Sequence, residues 1–120
     1  MGKALPSGVA ASHLLYFKYR IRSKKDNVAF TLSLEEFLNI TSKNCSYCNK
    51  APLQVFSNIR YNGVYNYNGV DRVDSSIGYI LSNCIPCCKT CNFMKRKHSQ
   101  QEFIAHIQAI LVHFKDDKNT

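Results

Sequence analysis

The chain has 120 residues, enough for one domain, and a formal charge of +8 from 16 Lys and Arg against 8 Asp and Glu. No apolar run approaches the ~18 residues of a membrane helix. The stretch from Val9 to Phe17 is broken by Ser12 and His13 and lacks a signal-peptide layout, and Pro6 stands where a myristoylation signal needs Ser or Thr. Neither a membrane span nor a lipid anchor is expected. A reducing, cytoplasmic setting is expected, in which six cysteines hold metal rather than form disulfides. The positive charge suits a polyanionic partner, because each neutralised phosphate releases condensed counterions.

Residues 1–11, with Gly2, Pro6 and Gly8 among small residues, are expected to be flexible, and 12–120 to form a single domain. A helix is predicted from Ser12 to about Lys25, where Leu14, Leu15, Phe17, Tyr19 and Ile21 alternate with Lys18, Arg20, Arg22, Lys24 and Lys25. Ser33 and Glu36 form a capping box that opens a short helix ending near Ile40. The Asn-, Tyr- and Gly-rich stretch 57–69 favours turns and is long enough to touch a nucleic-acid groove. A strand pair fits Gly69–Val73 and Tyr79–Ile85 around a turn at 74–78, and a helix follows from Cys88 to Lys97. Ser99 and Glu102 form a second capping box. The helix it opens carries Phe103, Ile104, Ile107, Ile110, Leu111 and Phe114 on a stripe expected to be core.

Cys45-Ser46-Tyr47-Cys48 and Cys88-Lys89-Thr90-Cys91 are two CxxC knuckles. Two residues between cysteines let both thiolates reach one tetrahedral ion, so Cys45, Cys48, Cys88 and Cys91 are predicted to hold a structural Zn²⁺. Cys84 and Cys87 are also spaced as CxxC, and their pairing with Cys45 and Cys48 is the alternative. Cys88 and Cys91 are preferred because the residue after the last ligand then opens a helix, which leaves Cys84 and Cys87 as small apolar fillers. Between the knuckles, a strand–turn–strand–helix run carries Asp71 and Asn92 near its two ends. Their hard oxygen donors suit Mg²⁺, which polarises a phosphate and stabilises its leaving oxygen.

The run GVDRVDSSIGYILSNCIPCCKTCNFMK, residues 69–95, resembles the HNH (ββα-metal, His-Me finger) endonuclease superfamily, in particular small phage-type and restriction-type members. The Cys45–Cys48 knuckle matches too, and residues 16–38 are more loosely similar to the leader of the same branch. The resemblance implies an α+β fold: a small zinc-stapled ββα-metal domain with core 43–98 and flanking helices at about 12–40 and 99–114. It implies a metal-dependent DNA endonuclease with Asp71 and Asn92 as ligands of a catalytic Mg²⁺ or similar ion. It further implies that Asn83 ties the connecting loop, the alternative being a simple turn residue. Lys95 would face the phosphate, the alternative being a solvated helix face shared with Arg96 and Lys97.

Most members place a His after the metal Asp as general base, whereas here Arg72 follows, and Arg cannot be deprotonated at working pH. Either the site is inactive, or the chain belongs to an Asp-Arg branch that takes its base from elsewhere. The second is favoured, with Arg72 clamping the scissile phosphate. His13, Tyr61, Tyr65 and Tyr67 are the groups that could approach as base, and none is assigned. Arg20, Arg22, Lys24, Lys25, Lys95 and Arg96 are expected to bind DNA, and a homodimer is expected for double-strand cleavage. Restriction, homing and phage genome processing all fit. The alternative function is a non-catalytic zinc-containing DNA-binding module.

Overall fold

A computed structural model describes residues 6–58, 60 and 62–118. Residues 1–5 of the leader expected to be flexible, and Tyr61, lie outside them. Helix α1 spans Val9–Lys25 and starts earlier than the sequence pattern suggests. Gly8 ends the preceding segment at φ 85°, and a Cβ there would collide with the Val64 carbonyl oxygen, so glycine makes both the turn and the close approach. Helix α2 spans Leu34–Thr41. Its capping box forms as predicted, with Glu36 N donating to Ser33 Oγ at 3.1 Å and Ser33 N to Glu36 Oε1 at 2.8 Å.

Two antiparallel hairpins follow. Strand β1, Gln54–Ser57, pairs with β2, Val64–Tyr67, and β2 lies inside the stretch expected to be turns. Alternation explains the strands: Phe56, Tyr65 and Tyr67 pack on the core while Val55 and Asn66 face outward. Strand β3, Gly69–Arg72, pairs with β4, Cys84–Cys87, in the register Gly69↔Cys87 and Arg72↔Cys84. The second strand thus lies later than the predicted Tyr79–Ile85. Tyr79 instead makes a parallel bridge to Phe30, and Leu81–Asn83 form a 3₁₀ turn. Helix α3, Lys89–Lys95, packs on β3 and stops at Arg96, whose φ of 49° breaks the helical path before Lys97.

The main core joins α1, α2 and the second hairpin through Leu15, Tyr16, Tyr19, Phe37, Ile40, Val70 and Cys84. Phe37 is fully buried, edge-on to Tyr16 and Tyr19 at 5.4 and 5.1 Å. Tyr16 and Tyr19 are therefore packing residues, whereas Phe17 is exposed. A second small cluster contains Cys45, Cys87, Cys88 and Cys91, covered by Tyr47.

Helix α4, Gln100–Lys118, opens with the predicted Ser99–Glu102 capping box. Its apolar stripe is not core. Phe103 is buried against Tyr47, but Ile107, Ile110, Leu111 and Phe114 are exposed. The periodicity specified a face, and the described residues supply nothing to cover it. Among them, no helix is long and apolar enough to cross a membrane.

Candidate active site and metal centre

The four cysteines Cys45, Cys48, Cys88 and Cys91 come together with their sulfur atoms all within 4.8 Å of one another. A tetrahedral zinc site with arms of ~2.3 Å has sulfur–sulfur edges of about 3.8 Å, and Cys48 and Cys88 stand 3.6 Å apart. The donor set fits a structural zinc ion, with Cys88 and Cys91 rather than the alternative Cys84 and Cys87. Burial opposes ionisation of Cys45, but backbone hydrogen bonds from Cys48, Cys88 and Tyr47 outweigh it and lower its pKa to about 6. Burial pushes Cys84 the other way, to about 12, which suits an apolar filler. Cys88 also caps α3, accepting from Cys91 N at 3.4 Å, so the knuckle and the helix start are one device. Asn68 locks the other knuckle, donating to the carbonyls of Lys43 and Lys50 on either side of Cys45–Cys48.

The connecting loop between β3 and the 3₁₀ turn is closed by Asn83. Its Nδ2 donates to the carbonyls of Asp74, Gly78 and Ile77 at 3.0, 3.1 and 3.3 Å, and its Oδ1 accepts from Asp74 N at 3.0 Å. Arg72 points into the same loop. Its Nη1 donates to the carbonyls of Ser75 and Ile77 at 2.9 and 3.2 Å, and its guanidinium lies 5.1 Å over the Tyr79 ring. One small cleft of about 80 Å³ is lined by Asp71, Arg72, Asn92, Arg96, Ser75 and Tyr79. The motif positions Asp71, Arg72 and Asn92 thus meet in space, and Tyr79 joins them unforeseen.

Lys95 corrects the sequence reading. It neither faces a phosphate nor sits on a solvated helix face beside Arg96 and Lys97. It is fully buried, and its ammonium lies 3.2 Å from Asp71 Oδ1 and 3.1 Å from the Arg72 carbonyl oxygen. Asp71 Oδ2 accepts from the Tyr47 hydroxyl at 2.8 Å. Burial, then the Asp71 hydrogen bond and charge, raise the Tyr47 pKa, so this hydroxyl stays protonated and donating. Both Asp71 oxygens are therefore bound within the protein, and the cleft's remaining candidate ligand is the neutral amide of Asn92. The Asp71–Asn92 pair in this arrangement does not fit a resident Mg²⁺, because the buried Lys95 ammonium, 3.2 Å from Asp71 Oδ1, would repel a divalent ion bound to the same carboxylate.

The basic residues of α1 divide between two faces. Arg22 shares a cleft of about 330 Å³ with Lys89, Asn92, Phe93, Gln54 and Tyr67, which opens beside the first. Arg20 and Lys24 line a separate cavity of about 630 Å³ with Phe17, Ile21 and Phe30. Phe93, exposed and stacked 4.6 Å under the Arg96 guanidinium, was not anticipated either. Of the suggested bases, Tyr65 is bonded to Thr41 at 2.7 Å, and His13 and Tyr65 line neither cleft.

A solved structure of the rare-cutting HNH restriction endonuclease PacI superposes with a TM-score of 0.61, covering 89% of this chain and 81% of that one at 23% identity. The fold is that of an HNH domain. A relative in Acanthamoeba polyphaga mimivirus, the uncharacterized protein R423, is 32% identical over 100 residues, 83% of this chain. The chain spans 17% of that relative's length. No family model matches the sequence. Within the HNH fold, the hairpin β3–β4 and helix α3 form the ββα unit, and the four cysteines tie its helix to the loop before β1.

Proposed function

We propose that this HNH domain is a DNA endonuclease that hydrolyses phosphodiester bonds at the cleft between β3 and α3. The observation that carries the reading is the convergence of Asp71, Arg72, Asn92 and Arg96 on one cleft of a ββα unit. Arg72 is the clamp for the scissile phosphate. With Nη1 held by two loop carbonyls, its other guanidinium N–H groups are oriented before DNA arrives and offset charge developing on the phosphate as water attacks. Asn83 fixes the loop that fixes Arg72. Arg22, Lys89 and Arg96 supply phosphate contacts along the adjoining cleft, where Phe93 offers a ring for stacking. The cysteine cluster holds zinc in a reducing interior and serves structure only.

Loss of one oriented donor of this kind slows a reaction by about 10²–10³-fold. Arg72→Ala is accordingly expected to cut supercoiled plasmid in Mg²⁺ at least about a hundredfold more slowly, while still retarding it on a gel. Equal cutting rates in a folded variant would remove Arg72 from the reaction. The second reading, a zinc-containing module that binds DNA without cutting, is favoured by the closed state of Asp71, both of whose oxygens are engaged.

Double-strand cleavage by so small a domain calls for two copies. The exposed face of α4, with Leu111 58% and Phe114 59% accessible, is the surface we assign to a homodimer. Sedimentation should find a dimer for the wild type and a monomer for Leu111→Glu, which would then nick rather than linearise. A monomeric wild type contradicts this assignment.

A further inference from the structure

We propose that Lys95 takes the place of a divalent cation at Asp71, so that in the DNA-free domain the cleft is an anion site with no resident catalytic ion. The proposal rests on the reading of this cleft as the phosphodiester site, and it concerns what the cleft binds before DNA arrives. Lys95 and Asp71 have relative exposures of 0% and 4%, with Nζ 3.2 Å from Oδ1. The ammonium is fixed from a second side by the Arg72 carbonyl at 3.1 Å, and the second carboxylate oxygen is held by Tyr47 at 2.8 Å. A divalent ion binding the same carboxylate would sit within a few ångströms of a cation that cannot turn away into water, where repulsion is poorly screened.

The charge balance of the cleft points the same way. Asp71 is its one carboxylate, already matched by Lys95, and the remaining charged groups lining it are Arg72 and Arg96. A pocket of that balance selects a phosphate anion over a cation. Lys95 therefore does for Asp71 what an ion would do: it neutralises the carboxylate and holds β3 against α3. Tyr47 completes the arrangement from inside the Cys45–Cys48 knuckle, so the zinc cluster and the motif aspartate are mechanically joined.

The test is Mn²⁺ binding to the zinc-loaded, DNA-free chain, read by loss of the free-ion electron paramagnetic resonance signal. This readout does not depend on whether DNA is cut, so failure of the nuclease reading leaves it intact. The wild type is expected to leave the signal unattenuated through the millimolar range. Lys95→Gln, which removes the charge but can still donate to the Arg72 carbonyl, is expected to bind one Mn²⁺ at least about tenfold more tightly. Adding Asp71→Asn to that variant should abolish the gain. Tight stoichiometric binding by the wild type that Asp71→Asn removes would overturn the proposal, as would a folded Lys95→Gln with no gain. If Lys95→Gln does not fold, the wild-type titration decides alone: tight binding contradicts the proposal, and its absence upholds it.

Discussion

Replacing Cys88 with Ser is expected to unfold the domain rather than merely weaken it. Zinc binding to sites of this kind contributes on the order of 10–16 kcal/mol, as much as the whole stability of ~5–15 kcal/mol typical of a domain. The described core is thin, and the second hydrophobic cluster consists of cysteines around the metal position, so little remains once the ion is lost. The same substitution also removes the cap of α3. Far-ultraviolet circular dichroism and zinc content should fall together for Cys88→Ser. Cys84→Ser is the control: its thiol lies in the main core and outside the cluster, so zinc should stay bound at one ion per chain. Loss of zinc from Cys84→Ser, with retention in Cys88→Ser, would reverse the ligand assignment.

Asp71→Asn should also be strongly destabilising, though less so, and for a different reason. It strands the Lys95 ammonium in a site with no access to water, and breaking one side of a buried pair costs about 3–5 kcal/mol. Urea unfolding of the zinc-loaded protein should show that loss as a lower midpoint. Asp71→Asn combined with Lys95→Met removes both charges and should recover most of it, because a buried pair replaced whole is close to neutral. A pair that sat exposed would give single-variant losses below ~1 kcal/mol and no recovery. The consequence for function is practical. A loss of cleavage in an Asp71 variant says nothing about catalysis until the double variant has been compared with it.

What was legible in the sequence was chemistry that acts over a few residues. The CxxC spacing fixes how two thiolates can share an ion, and both capping boxes are complete within four residues, so the four-cysteine cluster and the starts of α2 and α4 were readable. The motif resemblance carried Asp71, Arg72, Asn83 and Asn92 to one region. Lys95 was misread because it is followed by Arg96 and Lys97 and looks like part of a solvated run. Only the packing of α3 on β3 reveals that it points inward while its neighbours point out. Tyr47 was hidden by its position between two ligands, where the spacing drew attention to the cysteines alone. Strands β1 and β2 were obscured because Asn and Gly dominate the loop between them. For α4, periodicity told which face is apolar and could not tell whether anything in this chain covers it.

Whether this HNH-fold domain cuts DNA is tested most directly by incubating the zinc-loaded wild-type protein with supercoiled plasmid in Mg²⁺ or Mn²⁺. Conversion to nicked or linear plasmid, slowed in Arg72→Ala, is the result this account predicts. Plasmid retarded on the gel but left supercoiled, across varied DNA and with both ions, would contradict it and make the domain a DNA-binding module built on a nuclease fold.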